Sequence, residues 1–401
     1  GWDNRLSSHA LASAAASGAL SGGADVLLVG MSPFPVLARA TMMAGDAGIY
    51  VTASHNPPEY NGLKAFWGDG AELTREQEEE LERMIKQFAY GEVVGSIRWS
   101  PYGVEEYLED LLEDVGPCSD VLLVADPANG AASILAPSVL SEVGARVISV
   151  NSRPDGTFPG RMPEPSPENL RETMDLVRRC GAEFGLAWDG DADRVAVIDR
   201  RGRFVPQYKV SSLAAIALKA RRVITSVDMG LGLKRVVEKL GGEVIEWRLG
   251  DLHSLYKRRR KEGWEADLIT EPWKIMIPSW GPFFDGIRAA CLILEVVSEY
   301  GGLEEALKEV PEYRQVRVSI PCGGDRWAIV RRVFEELKEE VKPVRVDEID
   351  GYRLWAGEES WLLLRASGTE PKIRVYAEGR SEEEASRLAS IALRRVRERC
   401  K

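Results

Sequence analysis

A loop around Ser54 is the first place in this chain where side chains could do chemistry. The segment from Thr52 to Pro57 reads Thr-Ala-Ser-His-Asn-Pro, directly after an apolar run that predicts a buried strand, and Lys64 follows ten residues after Ser54. A serine at the carboxyl end of a strand, beside His55 and near a lysine, could act as a nucleophile with electrophilic help. The alternative is a capped turn, because Thr, Ser and Asn side chains often form local hydrogen bonds in turns.

Alternating carboxylates in a second loop indicate a metal site. The loop from Asp189 to Arg194 carries them at Asp189, Asp191 and Asp193, directly after another predicted strand. Several carboxylate oxygens on one loop suit a hard divalent cation such as Mg²⁺, and close acids repel one another unless a cation neutralises them. An EF-hand is excluded, because its loop needs Gly at the sixth and Glu at the twelfth position, where this chain has arginines. The alternative is a solvated acidic turn.

A third segment, from Arg365 to Arg374, has the composition of a phosphate site. Ser367 and Thr369 flank Gly368, so hydroxyls and backbone amides lie between two arginines. An ordinary strand-to-strand turn is the alternative. The chain carries no Gly-x-x-x-x-Gly-Lys-Ser/Thr nucleotide loop. A serine nucleophile, a magnesium site and a separate phosphate clamp together predict phosphoryl transfer on a phosphorylated small molecule.

The composition narrows the classes of partner. The chain has 401 residues, with 63 acidic and 52 basic side chains and a net charge of −11, whereas nucleic-acid binders usually present a basic surface. No window supplies the roughly 20 apolar residues that a membrane-spanning helix needs. We therefore expect neither a nucleic acid nor a membrane as partner.

The cysteines predict reduced thiols in a cytoplasmic protein. There are five, without a Cys-x-x-Cys pair, and the chain has only three histidines, which excludes a zinc cluster of the usual ligand spacing. The five are Cys118, Cys180, Cys291, Cys322 and Cys400.

The order of predicted elements indicates three tandem α/β domains with mixed, mainly parallel sheets, followed by a C-terminal α+β domain. Apolar β-branched runs, such as Phe184 to Trp188, alternate with helical stretches, such as Arg75 to Phe88 and Gly286 to Tyr300. From Arg314 the predicted order is one strand, a helix, four strands and a final helix, which is typical of an antiparallel sheet. The expected domains are 1–100, 101–204, 205–312 and 313–401.

In the three loops described above the chain resembles the α-D-phosphohexomutase family, which includes phosphoglucomutases, phosphomannomutases and phosphoglucosamine mutases. Thr52 to Pro57 is similar to its phosphoserine loop (T-A-S-H-N-P), Asp189 to Arg194 to its metal loop (D-G-D-x-D-R), and Arg365 to Arg374 to its phosphate loop (R-x-S-G-T-E-P-x-x-R). Shorter matches extend the resemblance over essentially the whole chain. It implies a heart-shaped enzyme whose four domains surround a central cleft.

The resemblance also implies roles for individual residues. Ser54 would carry a phosphoryl group, and its phosphate would hold Mg²⁺ together with Asp189, Asp191 and Asp193. The phosphoryl group would pass to the free hydroxyl of a sugar phosphate, and the resulting bisphosphate, which also serves as an activator, would return its other phosphate to Ser54. The remaining candidates are Lys64 and Arg194 for catalysis and, for substrate binding, His55, Glu271, Lys274, Arg365, Ser367, Gly368, Thr369 and Arg374.

Two features depart from the family pattern. The third domain usually carries a sugar-binding loop of the form G-E-x-S-G, but here the stretch from Ile269 to Ile275 keeps Glu271, replaces the Ser-Gly part and adds Lys274. Family chains also carry an upstream G-T-S-G-x-R-G loop, whereas this chain begins at Gly1-x-Asp3-x-Arg5. We therefore expect a first domain that lacks an inner strand and helix and exposes sheet edge and apolar surface.

The leading hypothesis is a phosphohexomutase that interconverts hexose 1-phosphate and 6-phosphate, with phosphomannomutase/phosphoglucomutase activity. The alternatives are a phosphoglucosamine mutase or phosphopentomutase, and a sugar-phosphate-binding relative without turnover. A phosphatase with an aspartyl nucleophile is disfavoured, because such loops usually read D-x-D-x-T/V and the fifth position here is Asp193. The expected partner is a small-molecule sugar phosphate, and the expected form is a cytoplasmic monomer or homodimer.

Overall fold

The structure is a computed structural model that describes residues 1–85, 90–368 and 370–400. Its helices are α1 (Ser8–Ser21), α2 (Phe34–Ala44), α3 (Arg75–Ile85), α4 (Val104–Asp114), α5 (Ala136–Glu142), α6 (Arg171–Cys180), α7 (Gln207–Ala217), α8 (Leu231–Lys239), α9 (Leu252–Lys261), α10 (Gly286–Tyr300), α11 (Leu303–Leu307), α12 (Arg326–Val341) and α13 (Glu382–Arg399). Its strands are β1 (Val26–Leu28), β2 (Ala47–Val51), β3 (Leu63–Trp67), β4 (Ile97–Trp99), β5 (Leu122–Asp126), β6 (Arg146–Ser149), β7 (Phe184–Trp188), β8 (Val195–Asp199), β9 (Arg222–Ser226), β10 (Glu243–Trp247), β11 (Leu268–Glu271), β12 (Lys274–Met276), β13 (Arg314–Pro321), β14 (Arg345–Asp347), β15 (Tyr352–Gly357), β16 (Ser360–Ala366) and β17 (Lys372–Gly379). The predicted end of α3 at Phe88 lies outside the described residues. Within the described ranges, no helix combines the length and apolarity needed to cross a bilayer.

The first block of the fold, which contains β1 to β4, is built on two strand pairs. β1 lies parallel to β4, and β2 lies antiparallel to β3. Trp2 forms isolated bridges to both Met31 and Val51, and a groove of about 560 Å³ beside it is lined by residues of α1, α2, β1 and β2. The Ser54 loop, residues 52–62, joins β2 to its antiparallel neighbour β3. The expected absence of an inner strand and helix stays a prediction.

The second block, β5 to β8, and the third block, β9 to β12, share one sheet topology. The strand orders are β6-β5-β7-β8 and β10-β9-β11-β12, and in each sheet three parallel strands are followed by one antiparallel edge strand. Every residue of β7 and β8 is buried, as expected for apolar strands that are covered on both faces. The Asp loop, residues 189–194, joins β7 to β8, and a tight turn at 272–273 joins β11 to β12.

The final block is an antiparallel sheet in the order β13-β17-β16-β15-β14. α12 and α13 pack against it, with Val330, Phe334 and Leu388 in a shared buried core. The phosphate loop, residues 365–374, spans the connection from β16 to β17. The predicted succession of α/β blocks and a final α+β block is therefore confirmed, whereas the domain boundaries stay predictions.

A buried carboxylate ties α10 to the second block near the Asp loop. Asp285 caps α10 and also accepts hydrogen bonds from the Tyr107 hydroxyl at 2.6 Å and from Trp280 Nε1 at 2.9 Å. The next residue, Gly286, donates its N–H to the Ala192 carbonyl at 3.0 Å. The start of α10 is thus fixed against the Asp loop, and this contact holds the second and third blocks together at the site.

The cysteines differ from the sequence-based expectation. Cys322, just after β13, and Cys400, just after α13, form a disulfide across 78 positions of sequence, while Cys118, Cys180 and Cys291 are free. Reduced thiols were therefore the wrong expectation for two of the five cysteines. The reason is that packing of α13 on the sheet brings distant positions together, which a scattered spacing does not reveal. The cysteines therefore no longer support the expectation of a cytoplasmic location.

Replacing Cys400 by serine is expected to lower the free energy of unfolding of the final block by about 4 kcal/mol, because a cross-link over a loop of this length restricts the unfolded chain. Urea unfolding with and without dithiothreitol measures the change. Cys180→Ser, which removes a free thiol, serves as control and should leave the midpoint in place. Equal midpoints for Cys400→Ser and the unchanged protein would refute a stabilising disulfide.

Candidate active site

One arginine holds the Ser54 loop in shape. The side chain of Arg5 is almost completely buried, and its Nε donates to Asp3 Oδ2 at 3.0 Å. Its two terminal nitrogens donate four hydrogen bonds to backbone carbonyls of the loop. The acceptors are Ser54 (2.8 Å), Asn56 (2.7 Å), Pro57 (2.6 Å) and Tyr60 (3.1 Å). The planar fork of the guanidinium thus satisfies carbonyls that a tight loop would otherwise leave unpaired.

Ser54 lies in a left-handed backbone conformation with φ of 49°, which costs a non-glycine residue on the order of 1 kcal/mol and is typical of functional sites. Its N–H donates to Thr52 Oγ1 at 2.8 Å, and its hydroxyl donates to Asp189 Oδ2 at 2.8 Å and lies 3.3 Å from Nδ1 of His55. Burial and the nearby Arg194 cation lower the pKa of His55 to about 3. The hydroxyl of Ser54 is therefore directed at the Asp loop, beside a neutral imidazole.

The Asp loop brings three buried carboxylates together. Asp189, Asp191 and Asp193 are each 0% exposed, and one oxygen of each lies within 4.8 Å of the others. Burial and the neighbouring Asp191 and Asp193 charges raise the pKa of Asp189 well above its usual value. Asp191 Oδ1 and Asp193 Oδ1 have no hydrogen-bond partner in the described part of the chain. Crowded acids with unpaired oxygens fit a divalent cation, and an all-oxygen donor set suits Mg²⁺.

Two lysines balance the other oxygens of the same carboxylates. Lys64 Nζ lies 3.0 Å from Asp191 Oδ2 and 2.9 Å from Asp193 Oδ2, and Lys274 Nζ lies 3.2 Å from Asp193 Oδ2. Burial disfavours the Lys64 ammonium, but Asp191 and Asp193 outweigh it and hold the pKa of Lys64 well above its usual value. Lys64 is therefore a charged donor here, whereas service as a base would need a lowered pKa. The lysines leave the Oδ1 atoms to another cation.

The turn between β11 and β12 connects the Asp loop to the third block. Glu271 accepts a hydrogen bond from the Gly250 N–H at 2.9 Å, and its other oxygen lies 3.7 Å from Lys274 Nζ. Trp273 has a φ of 68° and accepts a hydrogen bond from the Val195 N–H at 2.9 Å. Glu271 therefore faces a lysine that it shares with Asp193, which lies closer to that lysine.

Arg194 is the least engaged cation of the site. Its Nε lies 3.8 Å from Asp189 Oδ2 and 3.8 Å from Asp193 Oδ1, beyond hydrogen-bond distance. That nitrogen has no hydrogen-bond partner among the residues that the structure describes, and the guanidinium lies 5.8 Å from the Trp273 ring. Arg194 is thus available to an anionic substrate group beside the Asp loop.

In the phosphate loop, Arg365 and Arg374 lie directly opposite each other on β16 and β17. Like charges in such a cross-strand pair are unfavourable unless they are countered. Arg365 Nε lies 2.6 Å from Asp350 Oδ2, and Arg374 lies 3.4 Å from Glu370 Oε2. A phosphate could replace these carboxylates as the counter-ion, so the pair has the arrangement of an anion site.

The turn of this loop is compact. Ser367 is buried, and its hydroxyl accepts a hydrogen bond from the Glu370 N–H at 3.2 Å. Gly368 is exposed, and a Cβ there would meet nothing within 4 Å. Thr369, a predicted phosphate ligand, lies outside the described residues.

A cleft of about 930 Å³ lies at the phosphate loop, a size suited to a small molecule. Arg365 and Gly368 line one side, loop 248–254 lines a second, and α3 lines a third. The Leu249 N–H donates to Asp350 Oδ2 at 3.2 Å, which joins loop 248–254 to the partner of Arg365. Glutamates of α3 also line this cleft, which is therefore of mixed charge.

Sequence models of phosphoglucomutase/phosphomannomutase domains match three parts of this chain. The α/β/α domain I matches residues 1–90, the α/β/α domain II matches residues 105–202, and the C-terminal domain matches residues 303–394. The chain belongs to the α-D-phosphohexomutase family. It is therefore a phosphosugar mutase, an intramolecular phosphotransferase.

Relatives align with this phosphohexomutase over nearly its whole length. A phosphopentomutase of Thermococcus kodakarensis is 39% identical over 408 residues, which cover 98% of this chain and 88% of the relative. A probable phosphoglucosamine mutase of Methanothermobacter thermautotrophicus is 41% identical over 396 residues, which cover 96% and 86%. The solved structure of a phosphoglucomutase/phosphomannomutase family protein from Burkholderia thailandensis matches with a TM-score of 0.85 and 28% identity, over 99% of this chain and 88% of that one.

Sequence reasoning missed two residues that organise this phosphohexomutase site. The pattern Gly1-x-Asp3-x-Arg5 opens the chain, yet it does not indicate that Arg5 binds a loop some 50 positions away. Asp350 follows an acidic stretch that reads as solvated surface, although it contacts Arg365. The close spacing of an aspartate and an arginine at the start of the chain was the one sequence signal for Arg5, and Asp350 had no such signal.

Proposed function

We propose that this chain interconverts a pentose 1-phosphate and the corresponding pentose 5-phosphate through a phosphoserine at Ser54 and a pentose bisphosphate. The hexose hypothesis has less support than its alternatives, since the full-length relatives above are named phosphopentomutase and probable phosphoglucosamine mutase. The observation that supports the pentose over the amino sugar is the lysine beside Glu271, the candidate sugar-binding residue. One name implies a neutral sugar and the other an amino sugar, so the names by themselves do not choose between the two for this chain.

The lysine beside Glu271 favours a neutral sugar. A glucosamine phosphate carries an ammonium, which needs an acidic partner that is free to pair with it. Glu271 already faces Lys274 at 3.7 Å, and Arg194 lies beside the same turn. An added ammonium near Glu271 would therefore lie beside two cations, and like charges placed side by side cost several kcal/mol.

The turn also lacks the side-chain hydroxyl of the family pattern. Pro272 and Trp273 follow Glu271 in this chain, whereas the family pattern has a serine, followed by a glycine, two positions after the glutamate. No side-chain hydroxyl is therefore present in this turn. A buried sugar hydroxyl without a partner costs about 1–3 kcal/mol. A pentose has one fewer hydroxyl-bearing carbon than a hexose and so leaves fewer groups to satisfy.

In the proposed transfer each of these residues has a task. The phosphoryl group leaves Ser54 Oγ for the free sugar hydroxyl, whose proton is released as the serine hydroxyl regains one. Mg²⁺, which Asp189, Asp191 and Asp193 would hold, supplies positive charge to the transferring group. Lys64 and Arg194 add further charge there. Meanwhile the spectator phosphate would lie between the phosphate-loop residues Arg365, Ser367, Gly368 and Arg374.

In the second half-reaction the two phosphates of the bisphosphate exchange places in the site. The bisphosphate turns over so that its original phosphate faces Ser54, and that phosphoryl group passes to Oγ while the product phosphate lies in the phosphate loop. Each phosphoryl transfer forms one P–O bond and breaks one, so the enzyme returns phosphorylated. A sugar bisphosphate added from solution would likewise phosphorylate an unmodified Ser54 and act as an activator.

We expect wild-type kcat/KM to be at least about tenfold higher for a pentose 1-phosphate than for glucosamine 1-phosphate. The reason is the repulsion between the glucosamine ammonium and the cations beside Glu271. Lys274→Gln should lower overall activity but raise the glucosamine-to-pentose ratio about tenfold, because it frees Glu271 for the substrate ammonium. Coupled assays of pentose, glucose and glucosamine 1-phosphates with Mg²⁺ and a trace of bisphosphate measure both.

Lys308→Gln is the matched control, since this exposed lysine pairs only with Glu305 among the described residues. Its substrate ratio should equal that of the unchanged protein. A wild-type preference for glucosamine phosphate, or an unchanged ratio in Lys274→Gln, would contradict the proposed substrate class. Glucose 1-phosphate as the best substrate would restore the hexose hypothesis.

A further inference from the structure

A second cavity, distinct from the cleft at the phosphate loop, lies between the first and third blocks. Its volume is about 440 Å³, within the range of small-molecule sites. One wall is the segment after β3, with Trp67, Asp69 and Ala71, and the other is formed by α9 and Pro282. None of the residues proposed for phosphoryl transfer lines it.

The floor of the cavity is aromatic. Tyr256 is buried, whereas Trp67 is 46% exposed although it is one of the largest apolar side chains in the protein. Much of its indole is therefore not packed in the core. Flat heterocycles stack on such rings with about 1–3 kcal/mol per base, while a sugar phosphate alone has no aromatic ring to stack.

The rim of the cavity is cationic. α9 ends in a run of five basic residues, from Lys257 to Lys261, and three of them, Lys257, Arg260 and Lys261, line the cavity. Arg260 and Lys261 are exposed. The nearest acidic partner of Arg260 is 3.8 Å away in an exposed pair, which solvent screens. The cavity therefore presents net positive charge around an apolar floor.

A buried histidine adds an unused polar group. His253 is 8% exposed, and its Nε2 has no hydrogen-bond partner among the described residues. Its ring is packed edge-on against Phe284 at 5.1 Å, which fixes its orientation. An unpaired polar atom at this depth costs about 1–3 kcal/mol unless a ligand or water satisfies it. His253 lines both this cavity and the phosphate-loop cleft.

We propose that this cavity binds a nucleoside phosphate as an effector, with the base against Trp67 and Tyr256 and the phosphate at Arg260 and Lys261. His253 bonds a polar edge of the nucleoside. The chain has no loop of the usual nucleotide-binding patterns, so recognition here rests on stacking and exposed cations instead. The site is independent of the sugar that the mutase accepts.

Equilibrium dialysis of the full chain with ADP, in EDTA and in the presence of saturating sugar phosphate, tests the proposal. We expect one saturable site per chain that the sugar phosphate does not displace. Arg260→Ala should weaken ADP binding at least about tenfold, and Trp67→Ala should weaken it several-fold. Inorganic phosphate and adenosine, each carrying half of the recognised features, should bind more weakly than ADP.

Arg259→Ala is the matched control, because Arg259 neighbours Arg260 on α9 but pairs with Glu262 at 3.1 Å and does not line the cavity. Its ADP affinity should stay within about twofold of the unchanged protein. Equal weakening by Arg259→Ala and Arg260→Ala would overturn the proposal, since it would indicate a diffuse charge effect. Displacement of ADP by sugar phosphate, phosphate binding as tight as ADP, or no saturable binding would each overturn it as well.

Discussion

Ser54→Ala is expected to reduce mutase turnover by at least about 10⁴-fold, the scale seen when an enzyme loses its nucleophile. The hydroxyl of Ser54 donates to Asp189 Oδ2 at 2.8 Å, so the residue is placed directly at the proposed metal site. Alanine retains a side chain small enough for the loop but leaves no atom to accept the phosphoryl group. Steady-state assays, with intact mass to follow the bound phosphate, measure the loss.

Two controls keep this result interpretable. Ser17→Ala removes an exposed hydroxyl that bonds only within α1, and its activity should match that of the unchanged protein. The thermal midpoint of Ser54→Ala should stay within a few degrees, because the variant removes no core contact. Full activity in Ser54→Ala would contradict the serine mechanism, whatever the sugar.

Arg5→Lys is expected to lower kcat about 100-fold with a small change in KM, because a displacement of reacting groups by about 1 Å costs that much. A lysine keeps the charge beside Asp3 but cannot donate to four carbonyls from a planar fork. The Ser54 loop would then lose its fixed shape while the phosphate loop, which we propose binds the substrate, is untouched. The split between kcat and KM separates this positioning role from general damage.

Arg5→Ala should go further and destabilise the first block by about 3–5 kcal/mol, since it leaves buried Asp3 without its cation. Urea unfolding measures this change. Arg98→Lys, on the exposed strand β4, is the matched control and should alter neither activity nor stability. Unchanged kcat in Arg5→Lys would show that the guanidinium is not needed to hold the nucleophile.

The three candidate loops could be recognised in the sequence because each of them is contiguous. Ser54, the Asp loop and the phosphate loop each follow a strand within a few residues, so strand-end position and residue type were visible together. In the structure all of them connect a strand to its antiparallel neighbour. Strand β7 and helix α10 also begin and end where the apolar patterns indicated.

Elements with conflicting local signals were harder to predict. Helix α2 begins between prolines at 33 and 35, which read as a break, although proline suits the first turn of a helix. Helix α9 buries Leu252, Leu255 and Tyr256, but its basic second half reads as solvated chain. Strands β11 and β12 are four and three residues long, too short for a periodic pattern.

Long-range contacts could not be predicted at all. Arg5 binds a loop about 50 positions away, and Cys400 bonds to Cys322 across 78. Asp350 reaches Arg365 only because β15 and β16 are adjacent. Such pairs depend on how the sheets and helices pack, which local spacing does not encode.

The most direct test of the account follows the phosphate itself. Phosphorylated enzyme is mixed with pentose 1-phosphate that carries phosphorus-32, quenched after one turnover and digested. We expect the label on the peptide that contains Ser54, with unlabelled pentose 5-phosphate as product and no free phosphate. Label released only as free phosphate, or product that retains the label while the protein never carries it, would contradict transfer through Ser54.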